Sequence, residues 1–218
     1  SPGEFYELQH LDPHYRLFFK ENVGPEPAGE PPGLEQDPSG DRIDITRDLD
    51  SSIELFEAYE TGAGEALERY LAKSKENYEI GMEHFVYEDR SRIRDFLDPR
   101  LAKYARGLTL LGTMQDHVEK YFDHPKLRQI MQYTLVFLGG APRNTPALYN
   151  LMSHVDFNLG VFYPEGGIGG VVDAMVALNE DLGVQFHTDD PVTSIRGSRG
   201  NFTVGTTATE YESDLVVS

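Results

Sequence analysis

Tyr163-Pro164-Glu165-Gly166-Gly167-Ile168-Gly169-Gly170 sets an acid and four glycines where a strand turns into a helix, a place fit for binding. An aromatic strand, Val161 to Tyr163, runs into four glycines, and Val171, Val172, Met175, Val176, Leu178 and Leu182 follow at helical spacing. Glycines at a strand-to-helix turn let backbone come close to a bound group, and the helix start offers unpaired N–H donors. A cofactor or substrate could sit there. The run is not a dinucleotide fingerprint, because Gly167-x-Gly169 is followed at once by Gly170, Val171 and Val172. It is not a P-loop either, since no Gly-Lys-Ser/Thr follows. Tight helix–strand packing explains the glycines about as well as a ligand does. Glu165 reads as an acid near a helix N-terminus rather than as a general base.

The other reactive residue types are sparse. There is no cysteine, so disulfides, thiol nucleophiles and Cys-based zinc sites are excluded. No Gly-x-Ser-x-Gly elbow supports hydrolysis. None of the seven histidines is read as part of an HExxH or HxxxH arrangement, so a metal site is possible only through distant pairs, no metal is expected, and the histidines read as surface or satisfied core residues. Asp98 before Pro99 reads as a helix cap. Apolar segments Leu108–Gly112 and Val136–Gly140, with Tyr133, Phe137 and Leu148, form a core by default. Their functional reading is a tunnel or membrane-facing mouth for a lipid-like ligand, with Lys103 and Arg106 snorkelling at an interface.

The elements that must position these residues read as follows. Strands are expected around Phe5–Leu8 and Tyr15–Phe19, with a turn at Asp12-Pro13. Residues 21–41 are rich in Pro, Gly and Glu and read as a mobile surface loop, and Arg42–Thr46 returns as a strand. Ser51 or Ser52 can cap a helix through Tyr59, and Thr61 begins a longer one whose apolar positions include Ala66, Leu67, Tyr70, Leu71, Tyr78, Met82 and Phe85. Asp123-His124-Pro125 opens a helix that Gly139-Gly140 ends, and Thr145-Pro146 starts another toward Val155. Beyond the glycine run, Val184–His187, Val192–Ile195, Phe202–Val204 and Asp214–Val217 read as strands. The order is hairpin, helical insert, βαβ and a small meander: an α+β chain, or a piece of an α/β enzyme.

The chain has 218 residues and a net charge of −18, from 37 acidic and 19 basic residues. That acidity repels phosphate and argues against nucleic-acid binding. It is spread along the chain, as a solvated surface would be, and it suits high salt, where self-repulsion is screened. No stretch is long and apolar enough to span a membrane. The chain starts without Met and stops on what reads as a strand just begun, so an internal piece of a longer protein is expected.

In combination, Phe137-Leu138-Gly139-Gly140-Ala141-Pro142, Thr145-Pro146-Ala147-Leu148-Tyr149 and Gly160-Val161-Phe162-Tyr163-Pro164-Glu165-Gly166-Gly167 resemble the carotenoid (phytoene) desaturase family. That family belongs with the flavin-dependent oxidoreductases that include amine oxidases. Leu11-Asp12-Pro13-His14-Tyr15-Arg16 resembles its segment near the start of the substrate domain, and residues 184–218 resemble strands leading back into its flavin domain. The acidity would suit a haloarchaeal member. The resemblance implies an α+β fragment of an α/β FAD-binding two-domain oxidoreductase, whose substrate domain has a mixed β-sheet with a helical insert. It implies residues 1–165 as substrate domain and 166–218 as part of the flavin domain. It implies FAD as cofactor, a long isoprenoid hydrocarbon such as phytoene as substrate, hydride transfer to the flavin, and a cytoplasmic protein on the membrane surface. Val192 would meet FAD through backbone atoms, Gly166 and Gly167 would pack near the flavin and substrate cavity, and Phe137, Tyr149, Phe162 and Tyr163 would line the substrate path. The resemblance assigns no catalytic base. The family's GxGxxG segment is absent from these residues, so the fragment is expected to be inactive alone. A carotenoid isomerase or other flavin enzyme on the same scaffold, or a non-enzymatic apolar-ligand domain, are the alternatives.

Overall fold

A computed structural model describes residues 6–20, 23–37, 40–86, 109 and 112–217. The expected helix at Asp98-Pro99, together with Lys103 and Arg106, lies outside the described residues. The chain forms two compact units, residues 8–163 and residues 1–7 with 164–218.

In the first unit, β1 (Leu8–His10) pairs with β5 (Phe162–Pro164), while β2 (Tyr15–Phe18), β3 (Leu34–Asp37) and β4 (Gly40–Ile45) form an antiparallel sheet in the order β2-β4-β3. The first two strands are therefore not a hairpin with each other, as expectation had them adjacent. The Pro/Gly-rich segment carries β3 and opens β4, so its last third is a strand pair rather than loop. Burial along β4 alternates with the period of two that a half-buried strand imposes, and Ile43 and Ile45 point wholly into the core.

Two helices pack next to this sheet in sequence, α1 (Leu49–Tyr59) and α2 (Ala63–Gly81). Their caps differ from the expected Ser51, Ser52 and Thr61. Asp48 caps α1: its carboxylate accepts from the Asp50 amide and, at 2.7 Å, from the Ser51 hydroxyl. A carboxylate with two acceptor oxygens serves both donors, and Ser52 is left buried. Gly62, in the left-handed region at φ 85°, opens α2, and the Glu57 carboxylate of α1 accepts from the Gly62 and Gly64 amides. A short helix α3 (Met114–Val118) starts with a capping box between Thr113 and Asp116. The expected helix start at Asp123-His124-Pro125 is present, with His124 as the cap of α4 (Pro125–Gln132). A 3-10 turn over Tyr133–Leu138 follows and ends at Gly139, at φ 63°. A second 3-10 turn (Ala147–Asn150), a short α5 (Leu151–His154) and a π-helical turn (Val155–Leu159) complete the unit.

Its core holds Ile43, Ile45, Leu55, Phe56, Leu67, Tyr70, Met114, Phe122, Leu127 and Ile130. Of the helix positions expected inside, Leu67, Tyr70 and Leu71 are buried. Two polar devices are sealed into this core. Lys126 of α4, 2% exposed, pairs with Asp41 of β4, and the Tyr59 hydroxyl donates to the same carboxylate at 3.3 Å. Asn150 connects Asn77 of α2 (2.7 Å) to His117 of α3 (2.9 Å), and burial, then Lys120 and Lys73, push that imidazole down to about 4.

The second unit holds α6 (Ile168–Asp181) and a meander of β6 (Val192–Ser198), β7 (Asn201–Thr206) and β8 (Glu210–Ser213), antiparallel throughout. Three expectations fail here. Val184–His187 forms no strand, since it has no ladder partner among the described residues. The last strand is Glu210–Ser213 and not Asp214–Val217, because the Asp214 carbonyl instead accepts from Gly200 in the β6–β7 turn. A βαβ unit is not formed either: β5 and β6, on either side of α6, belong to different sheets.

Candidate functional site

The glycine turn lies in the second unit. Gly166 (φ 79°) and Gly167 (φ 90°, ψ 177°) both take conformations that L side chains avoid. The Gly167 amide donates to the Pro164 carbonyl at 3.0 Å, and Gly170 donates to Gly167 at the same distance. Gly167 caps α6 with no side chain serving the helix start. A Cβ built at Gly166 or Gly169 would meet nothing within 4 Å, so backbone torsion and not crowding requires glycine at 166. Glu165 stands two residues before the Gly167 cap, and the first turn of α6 itself contains no acid.

Val192 opens β6 in the same unit, with its side chain largely exposed. The residues before it are firmly tied. Burial pushes the Asp190 carboxyl up, but hydrogen bonds from Thr206, Ala208, Thr207 and Tyr211 together hold it below the usual carboxylate range. Asp190 accepts from the Ala208 amide at 3.0 Å and the Thr207 hydroxyl at 3.1 Å. Asp189 stands at φ 57°, turning the chain into the strand. Backbone at Val192 is thus placed by its neighbours' side chains.

In the first unit, a cavity of about 250 Å³ is walled by rings. His14 and Tyr15 come from the start of β2, Tyr133, Thr134, Val136 and Phe137 from the first 3-10 turn, Asp156 from the π-helical turn, and Val161 from the approach to β5. Tyr15 stacks on Tyr133 with centroids 4.5 Å apart. Val136 and Phe137, 70% and 63% exposed, mark its open side. Of the residues expected on the substrate path, Phe137 lines this cavity. Tyr149, Phe162 and Tyr163 stand partly exposed and do not line it, and Phe162 stacks on His10 at 4.6 Å.

Sequence reasoning missed the polar members of this site. The Tyr15 hydroxyl, His14 Nδ1 and Thr134 Oγ1 are buried without a hydrogen-bond partner. His14 Nε2 lies 3.1 Å from His10 Nε2, and the His10-x-x-x-His14 spacing was a signal passed over. Burial and then His10 lower the His14 imidazole. Burial, then Asp156 and Tyr133, push the Tyr15 hydroxyl well above its ordinary value. Burial alone pushes the Asp156 carboxyl up to about 6. No group of three or more His, Asp or Glu residues suited to a metal ion occurs among the described residues. The cavity offers apolar and aromatic walls with one ionisable carboxyl, which suits an apolar ligand segment.

Comparison with known proteins adds the wider context. Residues 15–218 match the family model described as flavin containing amine oxidoreductase. The whole chain is 53% identical, over 221 residues, to a carotenoid 3,4-desaturase of Haloarcula japonica and covers 41% of it. It is 26% identical to a zeta-carotene-forming phytoene desaturase of Myxococcus xanthus, over 88% of this chain and 34% of that one. A 4,4'-diapophytoene desaturase of Staphylococcus aureus is 24% identical over 71% of this chain and 31% of its own length. Among solved structures, a putrescine oxidase mutant from a redesign of cofactor binding aligns with a TM-score of 0.47 and 16% identity, over 87% of this chain and 40% of that one. The chain thus spans well under half the length of the curated relatives it matches.

Proposed function

Because the chain belongs to the flavin containing amine oxidoreductase family, we propose that it is part of an FAD-dependent desaturase acting on a long-chain isoprenoid hydrocarbon such as phytoene or a more unsaturated carotenoid. The observation that carries this reading is the 53% identity to a carotenoid 3,4-desaturase along the entire chain. The aromatic cavity is consistent with it. At about 250 Å³ it is smaller than the usual ligand pocket of roughly 300–1,000 Å³, so it holds one segment of a long chain rather than the whole.

When bound, FAD supplies the acceptor for the hydride. The open glycine turn fits such a group: Gly166 and Gly167 offer backbone without Cβ atoms, and Val192 offers backbone at the start of β6. Phe137 and the Tyr15–Tyr133 pair hold and desolvate the apolar segment, with Tyr149, Phe162 and Tyr163 extending the path. In this reading residues 1–165 serve the substrate and 166–218 belong to the flavin side.

Exposed Val136, Phe137 and Leu138 favour contact with a membrane surface, where the substrate dissolves. No helix among the described residues is long and apolar enough to cross a membrane. Liposome flotation tests the contact, and unchanged flotation of Val136→Asp/Phe137→Asp would remove it. The reading as a whole is tested on the full-length protein by flavin absorbance and by conversion of phytoene and of a more unsaturated acyclic carotenoid, with and without oxygen. Bound flavin with new double bonds in either substrate is expected. Carotenoid binding without bound flavin or turnover would instead indicate an apolar-ligand domain, and a change of geometry without new double bonds an isomerase.

A further inference from the structure

Desaturation removes a hydride from one carbon and a proton from its neighbour, and the proton requires a base. We propose that Asp156 is that base: its carboxylate, in the wall of the aromatic cavity, takes the proton released by the isoprenoid segment bound there. This rests on the desaturase reading above.

Several other carboxylates of the described structure have partners. Asp41 is held by Lys126, Asp44 by Arg16, Glu57 by two amides of α2, and Asp190 by its own loop. Asp156 differs, because it lines a cavity and neither a hydrogen bond nor a neighbouring charge accounts for its state. A carboxylate so placed is available to a ligand. Burial lifts it to about 6, so it is ionised at neutral pH yet more basic than an exposed aspartate.

The competing groups in the cavity are less suited. His14 Nε2 is engaged with His10, and burial lowers its basicity. Tyr15 keeps its proton, because burial and the Asp156 charge both oppose its loss. Tyr133 is the remaining titratable group that faces the cavity, and it is stacked on Tyr15.

When bound, FAD would supply the two-electron acceptor for a hydride that leaves one substrate carbon with its electron pair. The adjacent substrate carbon is left next to an allylic cation, so its C–H bond becomes acidic. That C–H electron pair forms the new double bond, and the proton bonds to an Asp156 oxygen. A carboxylate in a low-dielectric cavity also stabilises the passing positive charge.

The test uses the full-length holoenzyme. Asp156→Asn keeps the shape and removes the base. Its kcat is expected to fall by about 10²–10⁴-fold, with flavin content and carotenoid Kd unchanged. In the wild type, kcat should decline below about pH 6, the value to which burial lifts Asp156. Infrared titration of the flavin-free full-length protein should show a carboxyl band lost near the same pH, absent from Asp156→Asn. Asp156→Glu should restore part of kcat with a displaced acid limb. Full turnover and an intact acid limb in Asp156→Asn overturn the proposal, as does parallel loss of carotenoid binding and kcat. Should Asp156→Asn not fold, the wild-type infrared band and the Asp156→Glu acid limb decide. A wild type that binds flavin but forms no double bond defeats the desaturase reading itself, and is told apart by needing no variant.

Discussion

At Gly167 the backbone stands at φ 90° and ψ 177°, a region essentially confined to glycine. A side chain there costs about 1–3 kcal/mol in torsion alone. Gly167→Val in the full-length protein is expected to lose flavin and activity and to melt earlier, while Val192→Ala changes little because the proposed contact there is backbone. Flavin content and thermal unfolding of the two variants check this, and a fully flavinated Gly167→Val would contradict it. At Asp156 the sign of the pH effect follows from a raised carboxyl. Below its ordinary value of 3.8 the group is protonated folded or unfolded and costs nothing. Between 3.8 and about 6 the unfolded chain loses its proton first, so stability declines and then stays level above 6. A rise from 3.8 to about 6 corresponds to at most about 3 kcal/mol, and partial exposure brings this to about 1–2. Asp156→Asn is therefore expected to be more stable than wild type at pH 8 and equal to it near pH 3, as chemical denaturation at the two pH values would show. The aromatic types at this site were legible in the sequence. Asp156 was not, because nothing in its local spacing marks a carboxyl as enclosed.

Among the elements, helix interiors were easier to read than their ends. Apolar spacing located α1, α2 and α6, since a 3.6-residue period survives in the sequence whatever the neighbours do. The caps were misread where a carboxylate competed with nearby hydroxyls, as Asp48 does with Ser51, or came from another helix, as Glu57 does for α2. Gly139 was read correctly as a stop, because its left-handed φ is a property of the residue itself. The link between β4 and α4 through Asp41 and Lys126 joins positions 85 residues apart and leaves no local trace. Lys126→Met is expected to destabilise the protein by about 3–5 kcal/mol, since Asp41 would stay buried with the Tyr59 hydroxyl as its remaining side-chain donor among the described residues. Adding Asp41→Asn should recover much of the loss. Denaturation of the single and double variants checks this, and additive losses would refute the pairing as its cause.

For the whole molecule, charge dominates the solution behaviour. A net charge of −18 on 218 residues repels itself in dilute salt, and several ångströms of screening relieve that. The melting temperature is expected to rise between 0.1 M and 3 M KCl, and an unchanged value would refute salt adaptation. Composition, glycine placement and motif combination determined the family, the mixed α and β content and the glycine turn from sequence alone, because these depend on residue type and local spacing. Tertiary structure decided which strands pair, which carboxylates cap or pair, and that His14, Tyr15, Tyr133, Phe137 and Asp156 wall one cavity. Those outcomes include contacts far apart in sequence, 85 positions for Asp41 with Lys126 and more than a hundred for Tyr15 with Tyr133. Burial, which turns an ordinary aspartate into a candidate base, exists only once such contacts have excluded water.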